Sequence, residues 1–210
     1  MSDISMEPRA ARLTKNGRAV TCKGRLAFVQ LNEPKLKPGA KPGAKPKYGA
    51  AILLPKGSDI KALRDLVESK AKEAFGDKLK NPKFKEKLKL PIKKCSDCTD
   101  KDGNIYSGFD DPRFEYCIWP QTTTKPGIVD ARGEAVTEPS EVYSGRWGRL
   151  NVHAFKFDVD GNYGISFGLD NVQLLDPDEM MGGRARASDE FDPVEGVSGA
   201  AADDSDSVFN

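Results

Sequence analysis

Residues 147–175 read WGRLNVHAFKFDVDGNYGISFGLDNVQLL, two runs of alternating character on either side of Asp160-Gly161. In the first run Leu150, Val152 and Ala154 fall on one side of an extended chain, with Trp147, Arg149, Asn151 and His153 on the other. In the second, Ile165, Phe167 and Leu169 recur at period two. Such spacing around a turn-forming dipeptide specifies a β-hairpin. Working outward, residues 20–31 predict another long strand, with Leu26 and Phe28 on one face. Residues 48–54, ended by Pro55, and 114–119, ended by Pro120, predict two more, and 127–130 a short one. One helix follows from Ile60, Leu63, Val67, Ala71 and Phe75 at helical spacing, with Ser58 as its cap and Gly76 as its stop. Five or more short strands with one or two helices make a mainly β domain, a small barrel or a sandwich.

Charge is the next clue. The chain of 210 residues has 33 Lys and Arg, 32 Asp and Glu, and a formal charge of +1. That balance conceals segregation: residues 1–94 hold 24 cations and 9 acids, whereas residues 95–210 hold 9 and 23. Asymmetry of this kind predicts a polyanion partner for one part and an acidic tail in the other. Two insertions concentrate the cations. Residues 34–47, PKLKPGAKPGAKPK, form a basic loop with a KPGA repeat, and residues 77–94 carry eight lysines against two acids. Pro82 and Pro91 oppose a single helix there. Residues 187–210 contain seven acids and no Lys or Arg, a composition expected to remain disordered. The expected division is a folded domain over residues 1–180 and an acidic C-terminal tail over 181–210.

Several chemistries lack their residues. The longest strictly apolar run, residues 50–54, is too short for a membrane span, and no membrane partner is expected. Residues 1–12 have no apolar signal core, and four cysteines are too few for a disulfide scaffold, so the expected setting is cytoplasmic. A single histidine removes HExxH zinc chemistry, and neither a P-loop nor GxGxxG occurs. Cys95-Ser96-Asp97-Cys98 is a CxxC, but the other thiols, Cys22 and Cys117, stand alone in strand candidates; two solvent-near loop thiols are expected. Asp97, Asp100 and Asp102 resemble the start of a calcium loop without its closing glutamate. Asp110-Asp111 is the acidic pair a metal-dependent nuclease would use, although Pro112 marks it as a turn. No cofactor and no metal are expected.

The stronger constellation joins cations to aromatics, the combination that holds single-stranded nucleic acid: a basic groove for phosphates and rings on which bases stack. Its expected cations are Lys41, Lys45 and Lys47 of the loop, the 78–94 segment, and Arg25, Lys125, Arg146 and Arg149 on or beside strands. Tyr48, Trp119 and Trp147 are the expected stacking platforms, with His153 on the same face of its strand as Arg149, and Phe114 and Tyr116 assigned to the core. Arg146-Trp147-Gly148-Arg149 is the densest case, an aromatic between two guanidiniums.

The chain also resembles the bacteriophage single-stranded-DNA-binding proteins. The resemblance rests on Gly24-Arg25-Leu26-Ala27-Phe28 before Glu33-Pro34; Lys47-Tyr48-Gly49-Ala50-Ala51-Ile52-Leu53-Leu54-Pro55-Lys56 before a helix; Thr124-Lys125-Pro126-Gly127-Ile128-Val129-Asp130; Tyr143-Ser144-Gly145 before the long strand; and Gly182-Gly183 before the acids. It covers about residues 20–195. It implies an OB-fold-type five-stranded barrel with extra hairpins and loops. The implied function is to coat single-stranded DNA in phage replication or recombination, without catalysis and in the cytoplasm of the infected host. It also implies that Asp203, Asp204, Asp206 and Phe209 of the tail contact replication or recombination proteins. The tails of such proteins typically end on Phe, whereas here Asn210 follows Phe209. A metal-dependent nuclease and an RNA-binding accessory protein are the rival readings. Whether copies of the chain assemble with one another is left open by these residues.

Overall fold

The computed structural model describes residues 5–159 and 161–182. The segment expected as an acidic tail, with Asp203, Asp204, Asp206 and Phe209, lies outside them. Among the described residues are ten strands: β1 (Arg12–Leu13), β2 (Ala19–Val20), β3 (Gly24–Lys35), β4 (Lys47–Pro55), β5 (Lys93–Lys94), β6 (Phe114–Ile118), β7 (Gln121–Thr122), β8 (Gly127–Val129), β9 (Trp147–Val159) and β10 (Asn162–Leu174). Two helices, α1 (Lys61–Phe75) and α2 (Pro82–Lys87), complete the regular elements apart from short 3-10 turns. None of the helices described is long and apolar enough to cross a membrane.

The expected hairpin is β9–β10, paired antiparallel from Val159–Asn162 to Gly148–Leu174. Gly161 takes a left-handed φ of +75° at its tip, and Asp160 lies outside the described residues. From this hairpin the ladder closes on itself. β9 pairs with β3, β3 with β4, β4 with β7, and β7 with β10 through one parallel pairing, Gln121 with Gly168. These five strands form a closed circuit, which removes the exposed edges an open sheet would leave. At the β3–β9 crossing Gly24 faces Gly148. A Cβ on Gly24 would stand 2.5 Å from the Leu53 carbonyl oxygen, and one on Gly148 2.7 Å from that of Gln173. Only glycine permits backbones to approach this closely.

Two apolar clusters lie on either side of β3 and β4. The larger takes Leu26, Leu31, Ile52, Leu54, Leu150, Val152, Phe167 and Leu169, and α1 covers it with Leu63, Val67, Ala71 and Phe75. The smaller takes Ala27, Ala51, Leu53, Phe109, Phe114, Cys117 and Trp147. Because both faces of β4 are covered, its sequence is continuously apolar rather than alternating. The N-cap position of α1 is Ile60 with no side-chain cap hydrogen bond, so the expected Ser58 cap is not formed; just before it the Asp59 carboxylate accepts the Lys61 amide at 2.8 Å. Gly76, at φ +46°, ends the helix as expected.

The expectation that Leu26 and Phe28 share a face is wrong, for a specific reason. Ala27 pairs with Ala51 and Gln30 with Gly49, three steps along β3 against two along β4. The extra residue is a β-bulge, and Phe28 within it adopts φ +48°. Leu26 and Leu31 both point into the larger cluster as a result, while Phe28 turns outward, 37% exposed. The KPGA repeat is two successive turns: Ala40 N–H donates to Lys37 O, Ala44 N–H to Lys41 O, and Gly39 and Gly43 have φ of +71° and +82°. Proline then positive-φ glycine is the type II arrangement.

The Gly24–Gly148 crossing supports a direct test. Gly24→Ala overpacks it and lowers stability by about 1–3 kcal/mol, roughly 2–4 °C in Tm for each kcal/mol. An unchanged Tm in a thermal melt contradicts the closure described here.

Candidate nucleic-acid interface

The bulge in β3 builds an aromatic patch. Phe28 stacks on Trp119, centroids 4.7 Å apart with planes at 23°. Tyr106 meets Phe28 edge-on at 5.0 Å, and Phe109, 2% exposed, supports the group from below at 5.8 Å from Phe28. Trp119 follows β6 directly, 37% exposed. The left-handed backbone at Phe28 is disfavoured for a residue with a Cβ by about 1–2 kcal/mol. Strain of this kind clusters at functional positions.

Beside this patch a groove of about 750 Å³ runs between the outer ends of the β3–β4 and β9–β10 hairpins. One lip carries Lys35, Lys37 and Lys47; the other carries Phe155 and Phe157, with Trp119 and Tyr106 also lining it. Phe155, 38% exposed, follows His153 at period two on β9. His153 Nδ1 lies 3.0 and 3.1 Å from the two Asp170 oxygens, and Asp170 also accepts from Arg18 Nε at 2.9 Å. Asp170 sits where the β9–β10 register shifts, which frees its carboxylate from the regular alternation.

Of the residues expected in the site, Trp119 and Lys47 line this groove. Lys41 and Lys45 are exposed on the loop that leads from its lip, and Tyr48 is half-buried beside Lys47, paired with Thr122. His153 stands next to Phe155, ring centroids 6.1 Å apart. Lys125 is exposed but lines a separate hollow of about 180 Å³ with Asn32 and Val142.

The other expectations need correction. Trp147 is fully buried, packs 5.8 Å from Phe114, and donates from Nε1 to Asp178 at 2.8 Å. Its parity along β9 is as expected, but at that end the face is covered by the smaller cluster and by residues 176–179, so no base can reach it. Arg25 donates to the carbonyls of Gly145 (3.0 Å) and Glu179 (2.9 Å), and Arg149 to that of Thr21 (3.0 Å). Arg146 pairs with the Glu141 carboxylate and donates to Leu175 O. These arginines clamp loops onto the sheet rather than lining the groove, and burial pulls the Arg149 pKa down. The 78–94 segment lines a different groove against α1. Lys35 and Lys37 line this groove from the expected basic loop, whereas Phe28, Phe155 and Phe157, which stand in or beside it, are absent from the expected stacking platforms. Phe155 and Phe157 were findable, since they continue the outward alternation of Arg149, Asn151 and His153.

The rival chemistries gain no cluster. The Asp111 carboxylate is held by Arg113 in several hydrogen bonds, which lower its pKa, and Asp100 closes its own turn by accepting from the Asp102 and Asn104 amides. Among the described residues no three His, Cys, Asp or Glu side chains are grouped to hold a metal. Cys95 and Cys98 are buried rather than solvent-near, with Cys98 Sγ 2.9 Å from Cys117 Sγ. Burial pushes the Cys98 thiol up.

The two tryptophans separate cleanly in stability. Trp147→Ala removes a core ring and costs about 3–5 kcal/mol, whereas Trp119→Ala loses one exposed stack and costs roughly 1 kcal/mol. Urea unfolding of both variants checks this; a larger loss for Trp119→Ala would reverse the assignment.

Comparison with known proteins places this geometry. The family model described as Enterobacter phage Enc34, ssDNA-binding protein, matches residues 17–206. The solved single-stranded DNA-binding protein of bacteriophage Enc34 in complex with ssDNA aligns with a TM-score of 0.60 at 19% identity, covering 85% of this chain and 97% of that one. A second solved structure of the single-stranded DNA-binding protein from bacteriophage Enc34 aligns with a TM-score of 0.59 at 20% identity, over 90% of this chain and 97% of that one. These likenesses show a shared fold. No curated protein sequence matches the chain.

Proposed function

This chain belongs to the family of the Enterobacter phage Enc34 ssDNA-binding protein, and from that membership we propose that it binds single-stranded DNA with little sequence preference. The setting is phage replication and recombination in the host cytoplasm, and the protein acts without catalysis. The observation that carries this reading is the single groove in which Lys35, Lys37 and Lys47 face Trp119, Phe155 and Phe157.

The division of labour follows from the chemistry of the two lips. Phosphates follow the lysine lip, extended by Lys41 and Lys45 on the two-turn loop, and release their counterions on binding. Bases turn toward the rings, where stacking is indifferent to sequence because every base has a π face. The closed five-strand circuit supports an OB-type barrel as the scaffold. Residues 1–180 form the DNA-binding unit in this reading. Residues 181–210 form a partner-contacting segment through Asp203, Asp204, Asp206 and Phe209.

Affinity for oligo-dT falls with salt at a log–log slope near −0.7 for each phosphate neutralised. Lys35→Ala/Lys37→Ala/Lys47→Ala reduces the magnitude of that slope by about 2. Trp119→Ala and Phe155→Ala each weaken binding roughly tenfold, as expected for a stack worth about 1–3 kcal/mol. Fluorescence anisotropy of labelled dT, RNA and duplex at matched salt reads all three quantities. Tighter binding of duplex or RNA, or a slope unmoved by the lysine variant, contradicts the proposal.

A further inference from the structure

A second groove, of about 720 Å³, opens between α1 and the segment that follows it, and it shares no lining residue with the aromatic groove. Its floor is apolar, with Val67, Ala71, Leu79 and Leu88, and Leu90 at its rim is 49% exposed. Arg64, Lys72, Lys80 and Lys85 surround that floor, with Glu68 as the one acid in the lining. Lys72 is paired to Glu68 and Lys80 to Asp77, but these pairs are largely exposed and contribute little. Lys85 has no ion-pair partner among the described residues. An exposed apolar surface with a polar rim marks an interaction site.

The chemistry of the occupant follows from this lining. A bare polyanion would leave the apolar floor wet, and an apolar helix would bury the cations unpaired. A short segment with several carboxylates next to bulky apolar side chains satisfies both. Residues 203–209 of this chain, Asp-Asp-Ser-Asp-Ser-Val-Phe, combine three acids with Val208 and Phe209 and contain no base.

We propose that residues 203–209 dock in cis in the groove between α1 and α2, with Val208 and Phe209 on its floor and Asp203, Asp204 and Asp206 against Lys72, Lys80 and Lys85. Reach is sufficient. The twenty residues between Gly182 and Asp203 span up to roughly 65 Å when extended, against about 40 Å across a domain of this size. Tethering raises the local concentration of the segment above anything a second molecule supplies in dilute solution. The docked segment is thereby withheld from partner proteins until one competes for it. This inference rests on the groove and its charge and is independent of the DNA-binding reading.

Photo-crosslinking of the full chain, without DNA, tests it. Phe209 is replaced by p-benzoylphenylalanine, the protein is irradiated as an equal mixture of heavy- and light-isotope copies, and adducts are located by mass spectrometry. The expected result is adducts to residues 64–92 within one isotopic copy, reduced at least fivefold by Lys80→Glu/Lys85→Glu, whose side chains are exposed and unconnected to the core. Adducts to Trp119 or Phe155, mixed-isotope adducts, no protein adducts, insensitivity to the double variant, or stronger labelling of the groove from the same probe at residue 191 would each overturn it.

Discussion

β3 has to bury Leu26 and Leu31 in the same cluster although they stand five positions apart, an odd offset that a regular strand would place on opposite faces. The bulge opposite Ala51 and Gly49 resolves that conflict by inserting one residue. Its by-product is the outward turn of Phe28 onto Trp119. Core packing and the exposed aromatic patch are therefore one event: a strand paired in this register buries both leucines only by presenting Phe28. The left-handed backbone at Phe28 is held because the pairings on both sides of the bulge, to Ala51 and to Gly49, leave it no other route.

From that point the groove is assembled by strand ends. Lys35 and Lys47 pair across the far end of the β3–β4 hairpin, so its lysines come together at one lip. The β9–β10 hairpin outruns the rest of the sheet and carries Phe155 and Phe157 past the core. Cations and rings thus reach one groove from opposite hairpins. Arg25 and Arg146, by contrast, are consumed in holding residues 176–179 and the loops around Gly145 and Glu141. Two populations of positive charge follow, one structural and one presented.

Much of the fold was legible because its signals are local. The β9–β10 alternation, the glycine stop of α1 and the proline-glycine turns of the loop each depend on residues within a few positions. Trp147 shows where that reading ends. Its face of β9 follows from parity, but what covers that face comes from Phe114 and Asp178, distant in the chain. Phe28 shows the complementary failure, since period two cannot anticipate a bulge whose cause is the spacing of Leu26 and Leu31. In the candidate site, charge segregation pointed to the lysine loop, whose Lys35, Lys37 and Lys47 line the groove. It could not separate Arg25, Arg146 and Arg149, whose carbonyl and carboxylate partners only the fold brings close, from lysines with a groove to line.

In the proposed function bases stack on Trp119, whereas Trp147 is fully buried in the core. Single-tryptophan proteins test it most directly: Trp147→Phe retains only Trp119, and Trp119→Phe retains only Trp147. Each is titrated with oligo-dT while its intrinsic fluorescence is followed. Saturable quenching is expected in the protein that keeps Trp119, and an unchanged signal from the one that keeps Trp147. Quenching of Trp147, or none of Trp119 under conditions where anisotropy shows DNA bound, would contradict the proposal.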